Sequence, residues 1–236
     1  MDEKPHSPLP TDRRGTLELP QVFRPRANLF YRAFLIAVPV FLSTLCFAWY
    51  EVYRSPYWTG VSAPVGQPVL FSHRHHAGDL KLDCRYCHVS VERSSFGGLP
   101  STQTCMTCHS QIFTDSPLLQ PVRDSYASGQ PIRWNRVHDL PDYVYFNHAI
   151  HVNKGVGCST CHGQVNEMPL VSKTQTLFME WCLGCHRQPD ASLRPTSEVF
   201  NLNWQPSKEQ PLEGTRLARD FHLDTAHLTN CSVCHH

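Results

Sequence analysis

Ten of the eleven cysteines fall into five Cys-x-x-Cys pairs, and histidine follows each pair at once. They read Cys84-Arg-Tyr-Cys87-His88, Cys105-Met-Thr-Cys108-His109, Cys158-Ser-Thr-Cys161-His162, Cys182-Leu-Gly-Cys185-His186 and Cys231-Ser-Val-Cys234-His235. Two thiols at i and i+3 can reach the two vinyl groups of one haem and form thioethers. A histidine at i+4 then brings its imidazole beneath the same iron. This is the attachment pattern of haem c, so five covalently bound haems are expected.

Zinc is the competing chemistry. Seventeen residues separate Cys87 from Cys105 and twenty separate Cys161 from Cys182, spacings that would suit zinc ribbons. Histidine frequency decides against them. With 15 His in 236 residues, chance would place one after all five pairs with odds on the order of one in a million. The fifth pair would also lack a ribbon partner. Isolated Cys-x-x-Cys pairs are equally poor as disulfide staples, because they close no long loop. Cys46, the odd cysteine, reads as a small apolar packing residue.

The rest of the composition agrees with a cofactor-filled protein. Lys and Arg number 21 against 20 Asp and Glu, a balance that argues against a nucleic-acid partner. Nineteen prolines and twelve glycines exclude a long regular bundle or an extended sheet.

An internal repeat supplies further histidines. Phe71-Ser-His73-Arg-His75-His76 precedes the first motif, and Phe146-Asn-His148-Ala-Ile-His151 precedes the third. Each Phe-x-His-x-x-His block leads into two motifs, so 71–109 and 146–186 are a near-duplication, with a single motif at 231–235. Histidines three apart on one helical turn point toward neighbouring irons, not the same one. His73, His76, His148 and His151 are therefore candidate distal ligands. For the fifth iron the candidate is His138, in competition with His222, His227, Met168 and Met179; a methionine there would raise that haem's potential.

Before these lies an apolar run, residues 29–50, with 18 uncharged residues between Arg32 and Glu51. That length is at the short end of a bilayer span. Pro39 is tolerable there, and Trp49, Tyr50, Tyr53, Tyr57 and Trp58 form an aromatic belt just beyond it. No small-x-small cleavage site follows, which favours an uncleaved anchor over a signal peptide. Arg13, Arg14, Arg24, Arg26 and Arg32 hold the N-terminal side in the cytoplasm. The expected organisation is a cytoplasmic tail (1–28), a transmembrane helix (29–50) and an exported, periplasmic haem domain (51–236) in a bacterial inner membrane.

The exported 186 residues allow about 37 per haem, too few to bury a core of their own. The expected fold is mostly α with extensive irregular loops: a haem-templated, class III-like multihaem cytochrome c domain behind one N-terminal transmembrane helix. Residues 187–230 are weakly patterned.

The Phe-x-His-x-x-His blocks resemble those of class III multihaem cytochromes. That resemblance implies that His73 serves the Cys84/Cys87 haem, that His148 serves the Cys158/Cys161 haem, and that His76 and His151 reach across to others. Over about 30–187 the chain is also similar to the pentahaem subunits of bacterial alternative complex III. The resemblance rests on Gln67–His76, Asp83–His88, Cys105–Ser110, Trp134–Gly163 and Met179–Arg187. It implies an electron-transfer subunit, itself without a catalytic site, in a quinol:electron acceptor oxidoreductase. Its expected partners are iron–sulfur and polytopic membrane subunits, with a monohaem cytochrome c subunit or soluble carrier as acceptor. Two alternatives differ in class. A multihaem reductase needs one five-coordinate iron, and a tetrahaem quinol dehydrogenase differs in haem count and lacks the doubled block.

Overall fold

The computed structural model describes residues 24–235. His6 and most of the expected cytoplasmic tail lie outside the described residues. The chain divides into two units, the first ending at Ser55 and the second beginning at Pro56.

The first unit holds one helix, α1 (Pro25–Arg54). It begins with proline at its first position, where the missing N–H would be unpaired anyway. It runs about one turn further at each end than the apolar run of the sequence, because the flanking polar residues have no reason to leave the helix. Pro39 sits inside it and leaves the Leu35 carbonyl without its helical donor. None of its most apolar stretch is buried against protein, and Phe30, Phe34, Ile36, Phe41 and Phe47 all face outward. A core helix of a soluble protein would be covered. This one is long and apolar enough to cross a membrane.

The second unit is assembled from short helices, with no strand among the described residues. They are α2 (Pro56–Thr59), α3 (Cys84–Cys87), α4 (Thr102–His109), α5 (Gln120–Ser128), α6 (His148–Asn153), α7 (Cys158–His162), α8 (Met179–Arg187), α9 (Gln210–Asp220) and α10 (Cys231–Cys234). Five of these helices carry the five motifs. A single turn suffices for each, because Cys at i and i+3 need share only one helical face. Asp83 caps α3 by accepting from Arg85 N, and Asn147 caps α6 by accepting from Ile150 N.

The two repeat units are built alike with one difference. The first has eleven positions from His73 to Cys84, the second ten from His148 to Cys158. In the first, Arg74–Asp79 wind as a π-helical turn, which takes up the extra residue. The second unit is seated on the first: His148 N and Ala149 N donate to Ser95 O and Ser94 O, both at 3.1 Å, and Asn153 Nδ2 donates to Glu92 O.

Polypeptide alone gives this unit a thin core. Among the described residues the buried apolar side chains are five valines and three leucines, with Val91, Val152 and Val199 forming a cluster against Cys158. Val89, Phe96, Leu99 and Phe113 stay exposed. A unit of this length normally buries far more apolar surface than that.

The weakly patterned segment 187–230 contains α9. Its buried residues are Gln210, Gly214 and Leu217, a helical stripe made largely of non-apolar side chains. Gln210 Nε2 donates to Asp190 O and Leu193 O. The stripe's composition hid the helix from a hydrophobicity reading.

Gly155 joins α6 to the third motif with φ +79°, and a Cβ there would lie 2.4 Å from Arg194 O and 2.6 Å from Phe221 Cε2. Left-handed backbone costs about 1–2 kcal/mol for other residues, and overpacking about 1–3 kcal/mol. Gly155→Ala is expected to lower stability by about 2–4 kcal/mol, read as an earlier denaturant midpoint. An unchanged midpoint would contradict this packing.

Candidate haem-binding centres

Among the described residues no disulfide joins the ten motif cysteines. Burial pushes the thiols of Cys84, Cys87, Cys105, Cys158, Cys161 and Cys182 up, Cys158 to about 11 and Cys161 to about 12. After burial, cysteines of other motifs act on them: Cys105 on Cys87, Cys84 on Cys158, Cys185 and Cys182 on Cys161, and Cys234 on Cys182.

The histidines are brought together in twos. His73 faces His88 with ring centres 6.5 Å apart and planes 3° from parallel. His148 faces His162 in the same way, at 6.3 Å and 8°. His76 lies 6.2 Å from His109 at 67°, and His151 lies 6.2 Å from His186 at 30°. The first histidine of each block thus opposes the motif just downstream, and the second opposes the motif after it.

These separations fit two imidazoles across one metal. A metal–imidazole bond is about 2.0–2.1 Å, and the nitrogen lies about 1.2 Å from its ring centre, giving about 6.4 Å in all. Zinc would need four ligands converging. Among the described residues no three His, Cys, Asp or Glu converge on a common point that could hold a bare ion.

Backbone carbonyls fix the rings. His88 Nδ1 donates to Gly98 O at 2.7 Å, His148 Nδ1 to Ser95 O at 2.8 Å and His186 Nδ1 to Leu228 O at 2.8 Å. In both blocks the second histidine bonds four residues back, His76 to Ser72 O at 2.9 Å and His151 to Asn147 O at 2.8 Å. A proton held on Nδ1 leaves Nε2 with its lone pair, the form that binds a metal. Burial works the same way, holding His73 at about 4 and His162 at about 3, with neighbouring histidines adding to it. The His73 and His162 rings are therefore neutral at ordinary pH.

The phenylalanine of each block was not singled out as a site residue, yet it touches both histidines. Phe71 meets His73 edge-on at 4.9 Å and lies nearly flat on His76 at 4.4 Å. Phe146 does the same to His148 and His151, at 4.7 Å each. Its recurrence in both blocks was the available signal. Arg194 left none. It is buried beside the third motif, donating to Thr160 Oγ1 and Asn201 O and stacking on Trp204, while its Nε has no partner.

The fifth motif is arranged differently. Its segment pairs with 144–145, through the Val144–His235 bridge and a bond from Tyr145 N to Cys234 O. The ring beside His235 is Tyr143, at 5.8 Å. His138 lies six residues before Val144, and its ring meets His162 at 4.3 Å, not His235. Its Nε2 is buried without a hydrogen-bond partner. Of its competitors, His227 is bonded to Asp224 at 2.6 Å and Met179 is exposed at the start of α8.

No family model matches the sequence. A menaquinone reductase multihaem cytochrome c subunit from Nitratidesulfovibrio vulgaris (strain Hildenborough) is 33% identical over 175 residues, covering 72% of this chain and 76% of that one. This chain belongs to the multihaem cytochrome c subunits. The cytochrome therefore carries covalently bound haem c, and the ring pairs are described in a protein built to hold it.

Proposed function

We propose that this cytochrome is a pentahaem electron relay in a quinol-oxidising membrane complex of the alternative complex III kind. The observation that carries the reading is the set of four imidazole pairs at 6.2–6.5 Å. Each of the four pairs would hold one iron and leave it no open position for substrate, so these groups would conduct without catalysing.

In this reading Cys84/Cys87, Cys105/Cys108, Cys158/Cys161, Cys182/Cys185 and Cys231/Cys234 anchor the five groups. His88, His109, His162, His186 and His235 are the proximal ligands. His73, His76, His148 and His151 are the distal ligands of the first, second, third and fourth groups. His138 is the fifth distal ligand, supported by its unpartnered buried Nε2 and by the pairing of its segment with the fifth motif. Haem c supplies a one-electron couple. The chain's own residues fix the imidazoles through Gly98 O, Ser95 O, Leu228 O and the two phenylalanines, so that little rearrangement accompanies each electron.

α1 anchors the chain in the inner membrane, with the N-terminus cytoplasmic and the haem unit periplasmic. Iron–sulfur and polytopic subunits deliver electrons from quinol, and a monohaem cytochrome c or terminal oxidase receives them. A periplasm-dependent reporter fused after His236 is expected to be active. Activity of a cytoplasm-only reporter at that position would contradict the orientation.

The similarity to a menaquinone reductase subunit favours a second reading, in which the electrons run toward menaquinone. Stopped-flow mixing of the membrane complex separates the two. Adding quinol should reduce the haems in the first reading; adding quinone to the reduced complex should reoxidise them in the second. Haems that respond to neither, or that bind CO in the untreated chain, would contradict the relay.

A further inference from the structure

The five motifs do not follow one another in space as they do along the chain. Tyr86, inside the first motif, bonds through its hydroxyl to Thr107 Oγ1, inside the second, at 2.8 Å. The second motif's helix α4 then packs on α5 through Thr102 and Ser125. The first motif instead adjoins the third. Val91, three residues past His88, shares an apolar cluster with Val152, Val199 and Cys158, and the His148 ring is held by Ser95 from the loop behind the first motif.

From the third motif the contacts lead to the fourth. Cys185 Sγ lies 3.8 Å from Ser192 Oγ; Leu193 bridges to Val156; Arg194 reaches Ser159 and Thr160 inside the third motif. The fourth then meets the fifth, where His186 Nδ1 donates to Leu228 O, three residues before Cys231.

Exposure is greatest at the two ends of this series. Among the ten motif cysteines, the exposed ones are Cys108 in the second motif and Cys231 in the fifth. Each of those motifs also has an exposed aromatic ring beside its histidine, Phe113 at 6.4 Å from His109 and Tyr143 at 5.8 Å from His235.

We infer that the attachment sites stand in single file in the order second, first, third, fourth, fifth, so that redox partners meet the chain at the Cys105–His109 and Cys231–His235 ends. The inference rests on the reading that each motif carries a haem. Each passage oxidises one site as it reduces the next, so an electron entering at one end leaves at the other with no proton or group transferred.

The order is tested by changing the potential of one site and asking which others respond. A methionine ligand raises a haem's potential, and a changed charge is felt most by its nearest neighbours. In an NMR-followed redox titration of the detergent-solubilised holoprotein, His76→Met alters the second site. The spatial order predicts a displaced midpoint at one other site, the first. The order along the chain predicts two, the first and the third. His73→Met is the complement, displacing two sites in the spatial order and one in the chain order. Two displaced sites in His76→Met, or one in His73→Met, would overturn the inference. Intact mass of the same samples reports the haem count separately, so a lost haem and a wrong order give different results.

Discussion

His148→Ala is expected to convert one haem of five from low to high spin while leaving all five attached. The substitution removes an imidazole that faces His162 at 6.3 Å, within 8° of parallel, but touches neither thioether position of the third motif. The vacated position opens to water, and a charge-transfer band of a high-spin ferric haem should appear with about a fifth of the total haem. Electron delivery through the membrane complex should slow, because in the proposed single file the altered site is an interior one that every electron crosses. If His148 instead only packs or hydrogen bonds near the haem, the low-spin spectrum survives unchanged. That result would refute the ligand assignment.

A larger effect is expected of Cys158→Ala, which should abolish accumulation of the folded chain. Cys158 lies in the apolar cluster of Val91, Val152 and Val199, at the point where the two repeat units meet. A folded domain has a margin of about 5–15 kcal/mol, and opening a core by one large side chain already costs about 2–5 kcal/mol. A porphyrin is much larger, and this unit's polypeptide core consists of a few valines and leucines. Cys158→Ala protein that accumulates to wild-type level with four haems would show that the polypeptide folds without the third group.

The sequence made the chemistry legible and hid the geometry that arranges it. Cys-x-x-Cys-His is a side-chain pattern within one helical turn, so its residues could be named directly. The doubled Phe-x-His-x-x-His block was visible for the same reason, and the family comparison supports the multihaem class that these residues imply. The anchor helix was legible as an apolar run, short of its ends by about a turn. Partners that act through their backbone were not. Gly98, Ser95 and Leu228 each offer a carbonyl to a histidine ring, and a carbonyl leaves no trace in the residue type. Helix α9 was hidden because Gln210 and Gly214 occupy its buried face. His138 illustrates another limit. Assigning the other histidines left it as the candidate for the fifth iron, and its segment does pair with the fifth motif, while its ring rests on His162.

The spatial order of the motifs could not be read from the chain, because it depends on how one repeat unit sits on the other. The bonds from His148 and Ala149 to Ser95 and Ser94 set that arrangement, and Ala149, Ser94 and Ser95 are not distinctive at their positions. The consequence is functional. Motifs adjacent in sequence, such as the second and third, are separated in space by the first.

The number of covalent groups on the chain separates a pentahaem cytochrome from every other reading of the five Cys-x-x-Cys-His motifs. Intact mass spectrometry of the purified protein, with a pyridine haemochrome spectrum of the same sample, measures it directly. Five covalent haem additions per chain and the c-type haemochrome band are the predicted result. Fewer than five additions, or bound zinc at the Cys-x-x-Cys pairs, would contradict it.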